Sequence, residues 1–192
     1  MRRIFLFLFS LSLLIIAGCS CNNEDETSGI KRTDVILLSD TQVSNFILML
    51  PDILEFSEKY HRSLSVEEKN REDANKKFFE TLKKSKRMEK LASERGFKSI
   101  DELVVVYKNV VLGYMSIKLE LQDFKKEFSN LSSLISSNEN KLKKELKEKK
   151  IDEKEYEKQL KDIEIDKIRL SNILTIKKFE TDIDNVTSQF NR

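Results

Sequence analysis

Between Ile100 and Ile135 apolar residues return at alternating intervals of three and four: Ile100, Leu103, Tyr107, Val110, Tyr114, Ile117, Leu121, Phe124, Phe128, Leu131 and Ile135. Sustained over more than four heptads, this spacing predicts a helix packed lengthwise on a partner helix, knobs into holes. The phase continues to Leu142 and Leu146, which extends the helix to about residue 149. Ser136, Ser137 and Asn138 are weak helix formers, so a break there, capped by Ser136 with Glu139, is the alternative. The two halves of the seam differ. Val104, Val105, Val106, Val111, Leu112, Met115 and Leu119 make the first half apolar almost all round, whereas beyond Lys118 the other faces carry Lys, Glu, Asp, Gln and Ser. The first half is therefore expected inside a bundle, and the second as a narrower arm with one partner.

That partner is supplied by the chain itself. Asp152 with Glu155 is a capping box at a turn, and Ile151 can staple to Tyr156. Tyr156, Leu160, Ile163, Leu170 and Leu174 then line a returning helix, and Ile176, Phe179, Ile183, Val186 and Phe190 its last part in a changed phase, as if its neighbours change. Turn-forming residues are scarce: beyond residue 18 there is one proline, Pro51, and the glycines are Gly29, Gly96 and Gly113. A sheet protein would need turn signals about every 8 to 12 residues. Three more capping boxes, Ser39 with Gln42, Ser65 with Glu68 and Ser99 with Glu102, mark helix starts. The first helix is expected to kink or split at Pro51. The second is expected to run from about Ser65 to Arg95, stopping at Gly96, with Ala74, Phe78, Leu82, Leu91 and Ala92 inward and Lys83, Lys84, Lys86, Arg87 and Lys90 at its C-terminal end, where cations favour the dipole. The predicted fold is all-α: a helical bundle with a long antiparallel, coiled-coil-like hairpin of limbs 100–150 and 153–190.

The N-terminus has a different character. Arg2 and Arg3 precede an apolar run from Ile4 to Ile16, too short to span a bilayer, which takes about 20 residues. The run ends in Ile16-Ala17-Gly18-Cys19. This stretch resembles the lipobox of bacterial lipoproteins. The resemblance implies that residues 1–18 are a signal peptide cut after Gly18, and that Cys19 carries a diacylglycerol and often a further acyl chain such as palmitate on its new amino terminus. Two or three chains anchor stably where one does not. Residues 19–34 then read as a lipidated flexible tether, polar and without apolar period, with a root-mean-square reach of roughly 20 Å. Residues 35–192 read as a single helical domain. Ser20 after the lipidated cysteine, where enteric members of the family use Asp for inner-membrane retention, favours the outer membrane in a cell that has one.

Charge and chemistry narrow the function classes. The 35 basic residues lose Arg2 and Arg3 with the signal and then equal the 33 acidic ones, so the mature chain is neutral and gives no reason to expect a nucleic-acid partner. Cys21 is then a lone thiol. His61 is the single histidine, and no Cys-x-x-Cys, HExxH or glycine-rich phosphate loop is present. Neither a catalytic residue nor a cofactor or metal site is expected, beyond carboxylates spaced as on any charged helix surface. Tyr107 and Tyr114 beside Gly113 hint at a small internal pocket, although tyrosines at the edge of a core have the same spacing. The expected role is a non-enzymatic, membrane-anchored, extracytoplasmic module that binds or scaffolds an envelope protein. The alternatives are an envelope holdase that uses the arm and a carrier of a small apolar ligand that uses the bundle. The heptads also allow pairing between copies.

Residues Leu142 to Leu160, with Leu146, Ile151, Glu155, Tyr156 and Glu157, resemble the short helical hairpin called SHOCT. Lys150 stands where that module has glycine, and more than 30 residues follow where it ends. A stapled helical turn gives the same pattern, so no function is carried over. The lysines of 141–150 make the hairpin tip basic, as a solvated arm would be.

Overall fold

The computed structural model describes residues 34–65, 74–119 and 124–190, and all regular structure among them is helical. The expected signal peptide, Cys19, Cys21, all but the last residue of the expected tether, the box glutamate Glu68 and the seam residue Leu121 lie outside the described residues. The helices are α1 (Asp40–Ser63), α2 (Ala74–Lys84), α3 (Lys86–Glu94), α4 (Ile100–Leu119), α5 (Phe124–Lys147), α6 (Glu153–Lys177) and α7 (Glu180–Gln189).

Local signals set most helix ends. The Ser39 hydroxyl accepts from the Gln42 N–H at 3.2 Å, and the Gln42 carbonyl oxygen accepts from the Ser39 N–H at 3.1 Å, a complete capping box. At α4 the box is modified. Glu102 N–H donates to the Ser99 hydroxyl at 3.1 Å, but the Glu102 carboxylate takes the Lys98 N–H at 2.7 Å and the Gln42 side chain at 3.2 Å, joining the starts of α1 and α4. Asp152 caps α6 through the Glu155 N–H at 2.8 Å. Gly96, at φ +86°, closes α3 with the Phe97 N–H donating to the Ala92 carbonyl and the Gly96 N–H to that of Ser93.

Three expectations about helix extent are corrected. Of the kink or split expected at Pro51, the split does not occur: Pro51 lies inside α1, which continues through it to Ser63. The second helix divides at Ser85, whose hydroxyl caps α3 by accepting from the Met88 N–H at 3.4 Å. The break lets the apolar faces of the two short helices be turned separately, so that Phe78, Phe79 and Leu82 of α2 and Met88 and Ala92 of α3 are all buried. The returning limb of the hairpin does not reach 190 as one helix: it turns at Lys178 and Phe179, and α7 packs mainly on α1. The changed phase of Ile176, Phe179 and Ile183 marks this turn. By contrast α5 runs unbroken through Ser136, whose hydroxyl bonds back to the Ser132 carbonyl at 3.0 Å.

The seam divides as its surroundings do. Ile100, Leu103, Tyr107, Val110, Tyr114 and Ile117 of α4 are all buried, among α1, α2, α3 and α6. Phe46 and Phe79 meet Tyr107 edge to face at 5.8 and 5.4 Å, tying α1 and α2 to α4. On α5, whose main neighbour is α6, Phe128, Leu131, Ile135 and Leu146 are only half-buried, while Leu142, like Ile163 of α6, is buried. Glu139 and Lys167, paired across the arm at 2.5 Å, confirm the antiparallel register.

The tip carries a backbone strain. Lys149 has φ +56°, and the Lys150 N–H donates to the Glu145 carbonyl while the Lys149 N–H donates to that of Leu146. This is the same left-handed helix stop that Gly96 makes, built here with a side chain in a conformation that costs a non-glycine residue about 1 kcal/mol or more. Lys149→Gly is expected to stabilise the arm by roughly 0.5–1 kcal/mol, the glycine's greater freedom in the unfolded chain offsetting part of the relief. A rise in the urea midpoint checks this; a fall would mean that the turn is not strained.

Candidate functional site

The most distinctive arrangement joins the start of the described chain to α4 and α6. Residues 34–38 approach α1 as an extended strap in which Ile36 is half-buried, Leu37 is 61% exposed and Leu38 is 4% exposed. Two buried asparagines hold its main chain. Asn172 of α6 accepts from the Leu38 N–H at 2.8 Å and donates to the Ile36 carbonyl at 2.7 Å. Asn109 of α4 accepts from the Ile36 N–H at 3.3 Å and donates to the Asp34 carbonyl at 2.8 Å. The pair also meet each other at 3.4 Å, and Asn109 donates to the Val105 carbonyl of its own helix at 2.8 Å. Asp34 forms a 2.8 Å ion pair with Lys108, whose ammonium lies 5.3 Å from the centre of the Phe79 ring.

Neither asparagine was among the residues singled out from the sequence. A signal for Asn109 exists: Lys108-Asn109 is a polar pair between Val104-Val105-Val106-Tyr107 and Val110-Val111-Leu112, where every other direction is apolar. A polar side chain in such a place needs a hydrogen-bonding partner.

Tyr107 and Tyr114 do line a cavity, with Phe46, Leu50, Leu54, Val110 and Val111, closed by Ile183 and Thr187 of α7. Its volume is about 30 Å³, against roughly 300–1,000 Å³ for ordinary ligand pockets. Gly113 serves a different purpose, letting α6 approach α4. At the mouth of the cavity the Tyr114 hydroxyl donates to Asp184, and Lys118 pairs with Glu180 at 2.7 Å and Asp184 at 2.8 Å. Burial, then the Asp184 carboxylate, push the Tyr114 hydroxyl well above the ordinary tyrosine range, so it is a hydrogen-bond donor and no base at neutral pH. The Lys118 and Lys177 ammonium groups hold Glu180 below the usual carboxylate range. This polar cluster fastens α7 over the bundle.

Other candidates from the sequence are dispersed. Arg87 of the basic cluster pairs with Asp52 at 3.3 Å and Glu55 at 3.0 Å, and Lys83 with Asp101 at 2.5 Å, so these cations clip α3 to α1 and α2 to α4. His61 sits in the last turn of α1 with its ring edge-on to Tyr60 at 5.6 Å. Among the described residues no group of three or more His, Cys, Asp or Glu side chains is placed to hold a metal ion. On the arm, Lys143 and Lys167 draw Glu139 down to about 2 from 4.5. A depressed carboxylate contributes its stabilisation above the unfolded value and loses it as pH falls, here from 4.5 through about 2. The side-chain carbon signal of Glu139 should therefore titrate with a midpoint near 2, moving towards 4.5 in Lys167→Ala; an unmoved midpoint would mean that the cross-arm pair does not form.

No family model, curated protein or solved structure matches this chain. No helix among the described residues is long and apolar enough to cross a membrane.

Proposed function

We propose that this protein is a lipid-anchored, extracytoplasmic lipoprotein that acts without catalysis, by binding or scaffolding another protein of the cell envelope. Residues 1–18 direct export and are cut after Gly18, and Cys19 carries the lipid. The tether then brings the bundle to the membrane. One observation carries the protein-binding part: α5 and the first part of α6 form an arm beyond the segment of α6 that packs on α4, and among the described residues α5 has α6 as its main neighbour, with Leu131 and Ile135 half-buried and Leu134 56% exposed. The strap joins α6 at Asn172, and from there to the tip at Glu153 is about 28 Å along the helix axis. In the register set by Glu139 and Lys167, Leu131, Leu134 and Ile135 lie near the level of Asn172, so the apolar surface is at the base of the arm beside the strap and the basic tip projects beyond it.

The two parts are tested separately. Metabolic labelling with palmitate should mark the protein and be lost in Cys19→Ala; labelling that persists would remove the lipoprotein assignment. A photo-crosslinker at Lys149 in intact cells, followed by mass spectrometry, tests the arm. A single recurrent envelope protein supports the adaptor. A broad set of clients would replace it with the holdase, and adducts between copies alone with a structural oligomer.

A further inference from the structure

The strap is bound in the way a peptide ligand is bound. Asn109 and Asn172 reach it through the Asp34 carbonyl, the Ile36 N–H and carbonyl, and the Leu38 N–H, and none of these bonds goes to a strap side chain. Every peptide in the same extended conformation presents the same groups. Side-chain selection rests on the inward Ile36 and Leu38 and on the pairing of Asp34 with Lys108, while Leu37 points outward. Among the described residues no backbone-to-backbone hydrogen bond joins 34–38 to a helix, so the strap can leave without breaking one. The asparagines themselves are only 4% and 3% exposed. Buried amides with empty hydrogen-bonding capacity are costly, which favours exchange of one extended segment for another over a vacant groove.

We propose that the groove between α4 and α6 floored by Asn109 and Asn172 is a binding site for an extended peptide, occupied in cis by residues 34–38 and open to exchange with a segment of the partner. The ligand it fits has a carboxylate followed by apolar side chains two and four positions on, as Asp34, Ile36 and Leu38 have. Exchange would release the strap into the tether, lengthening the link to the membrane by about five residues, or some 15 Å when extended. The inference deepens the protein-binding role proposed above and rests on it. Its test uses the strap's own sequence as probe, so the result is independent of what the arm captures.

A fluorescent peptide of residues 33–40 is titrated against the full-length protein, the variant with Ile36→Ser and Leu38→Ser, and that variant with Asn172→Leu added. Loosening the strap is expected to tighten peptide binding at least ten-fold over the unaltered protein, and Asn172→Leu to abolish the gain. Hydrogen exchange of the unaltered protein supplies a second readout that needs no substitution: the Leu38 amide is expected to exchange at least ten-fold faster than the slowest amides of α4. Equal binding or no binding across the three proteins, or a Leu38 amide that exchanges only with global unfolding, overturns the proposal. If the loosened protein does not fold, the exchange measurement alone decides.

Discussion

Asn172→Leu is expected to lower the unfolding free energy by about 2–4 kcal/mol, a large loss for an exchange that nearly keeps side-chain volume. Leucine fills the space but leaves the Leu38 N–H and the Ile36 carbonyl, now bonded at 2.8 and 2.7 Å, without partners. Each buried unsatisfied group costs about 1–3 kcal/mol. If the strap swings into water to recover those bonds, the burial of Leu38 is lost instead, about 1.5–3 kcal/mol for a side chain of that kind. The two routes overlap at about 2–3 kcal/mol and the chain takes the cheaper, but they differ in the Leu38 amide, which stays protected in the first and exchanges freely in the second. Urea unfolding with the dependence on denaturant unchanged measures the loss. A change under about 0.5 kcal/mol would show that the asparagine contacts contribute nothing net. Asn109→Leu should behave alike, and the double variant should lose less than the sum, because both side chains hold one segment and touch each other.

The second large effect lies at Gly113. A Cβ placed there would stand 2.3 Å from Ile176 Cδ1 and 3.8 Å from the Ile173 Cα, and Ile176 is fully buried, so its end must shift within a packed core. Alanine gains about 1 kcal/mol in helix propensity and loses about 1–3 kcal/mol in overpacking, so Gly113→Ala is expected to be weakly destabilising. Valine adds two branches in the same gap and should cost about 3 kcal/mol by forcing α4 and α6 apart. A mutant cycle isolates the contact. Ile176→Val removes the Cδ1 atom and alone costs about 1 kcal/mol. Combined with Gly113→Ala it should be more stable than the two single effects predict, by about 1 kcal/mol. Additive behaviour would mean that the helices are not in close approach there.

The contrast between these sites and the helix ends explains what was legible. A capping box such as Ser39 with Gln42, a glycine stop such as Gly96, or the seam from Ile100 to Ile135 is satisfied by residues within one or two turns, or by any apolar partner. Its meaning therefore survives without knowledge of the rest of the chain. The same holds for the difference in burial between α4 and α5, since a face lined with Lys and Glu cannot be buried whatever the topology. Ser85 was harder. It has the chemistry of a cap, but nothing within two turns says whether a serine in a charged helix ends it, and the answer came from the separate burial of Phe79 and Met88. At the tip the position of the left-handed residue, Lys149, is set by the hydrogen bonds of the turn and has no preference in its own side chain.

Sequence alone determined the all-helical class, the starts of α1, α4 and α6 and the division into bundle and arm, because short-range hydrogen bonding and heptad spacing act between residues close in the chain. Tertiary structure decided the strap. Asn109 and Asn172 stand 63 residues apart, and Leu38 is 134 residues from the amide that binds it. No pattern relates them until α4 and α6, brought together at Gly113, exclude water from the groove and leave the strap's main chain to satisfy both amides.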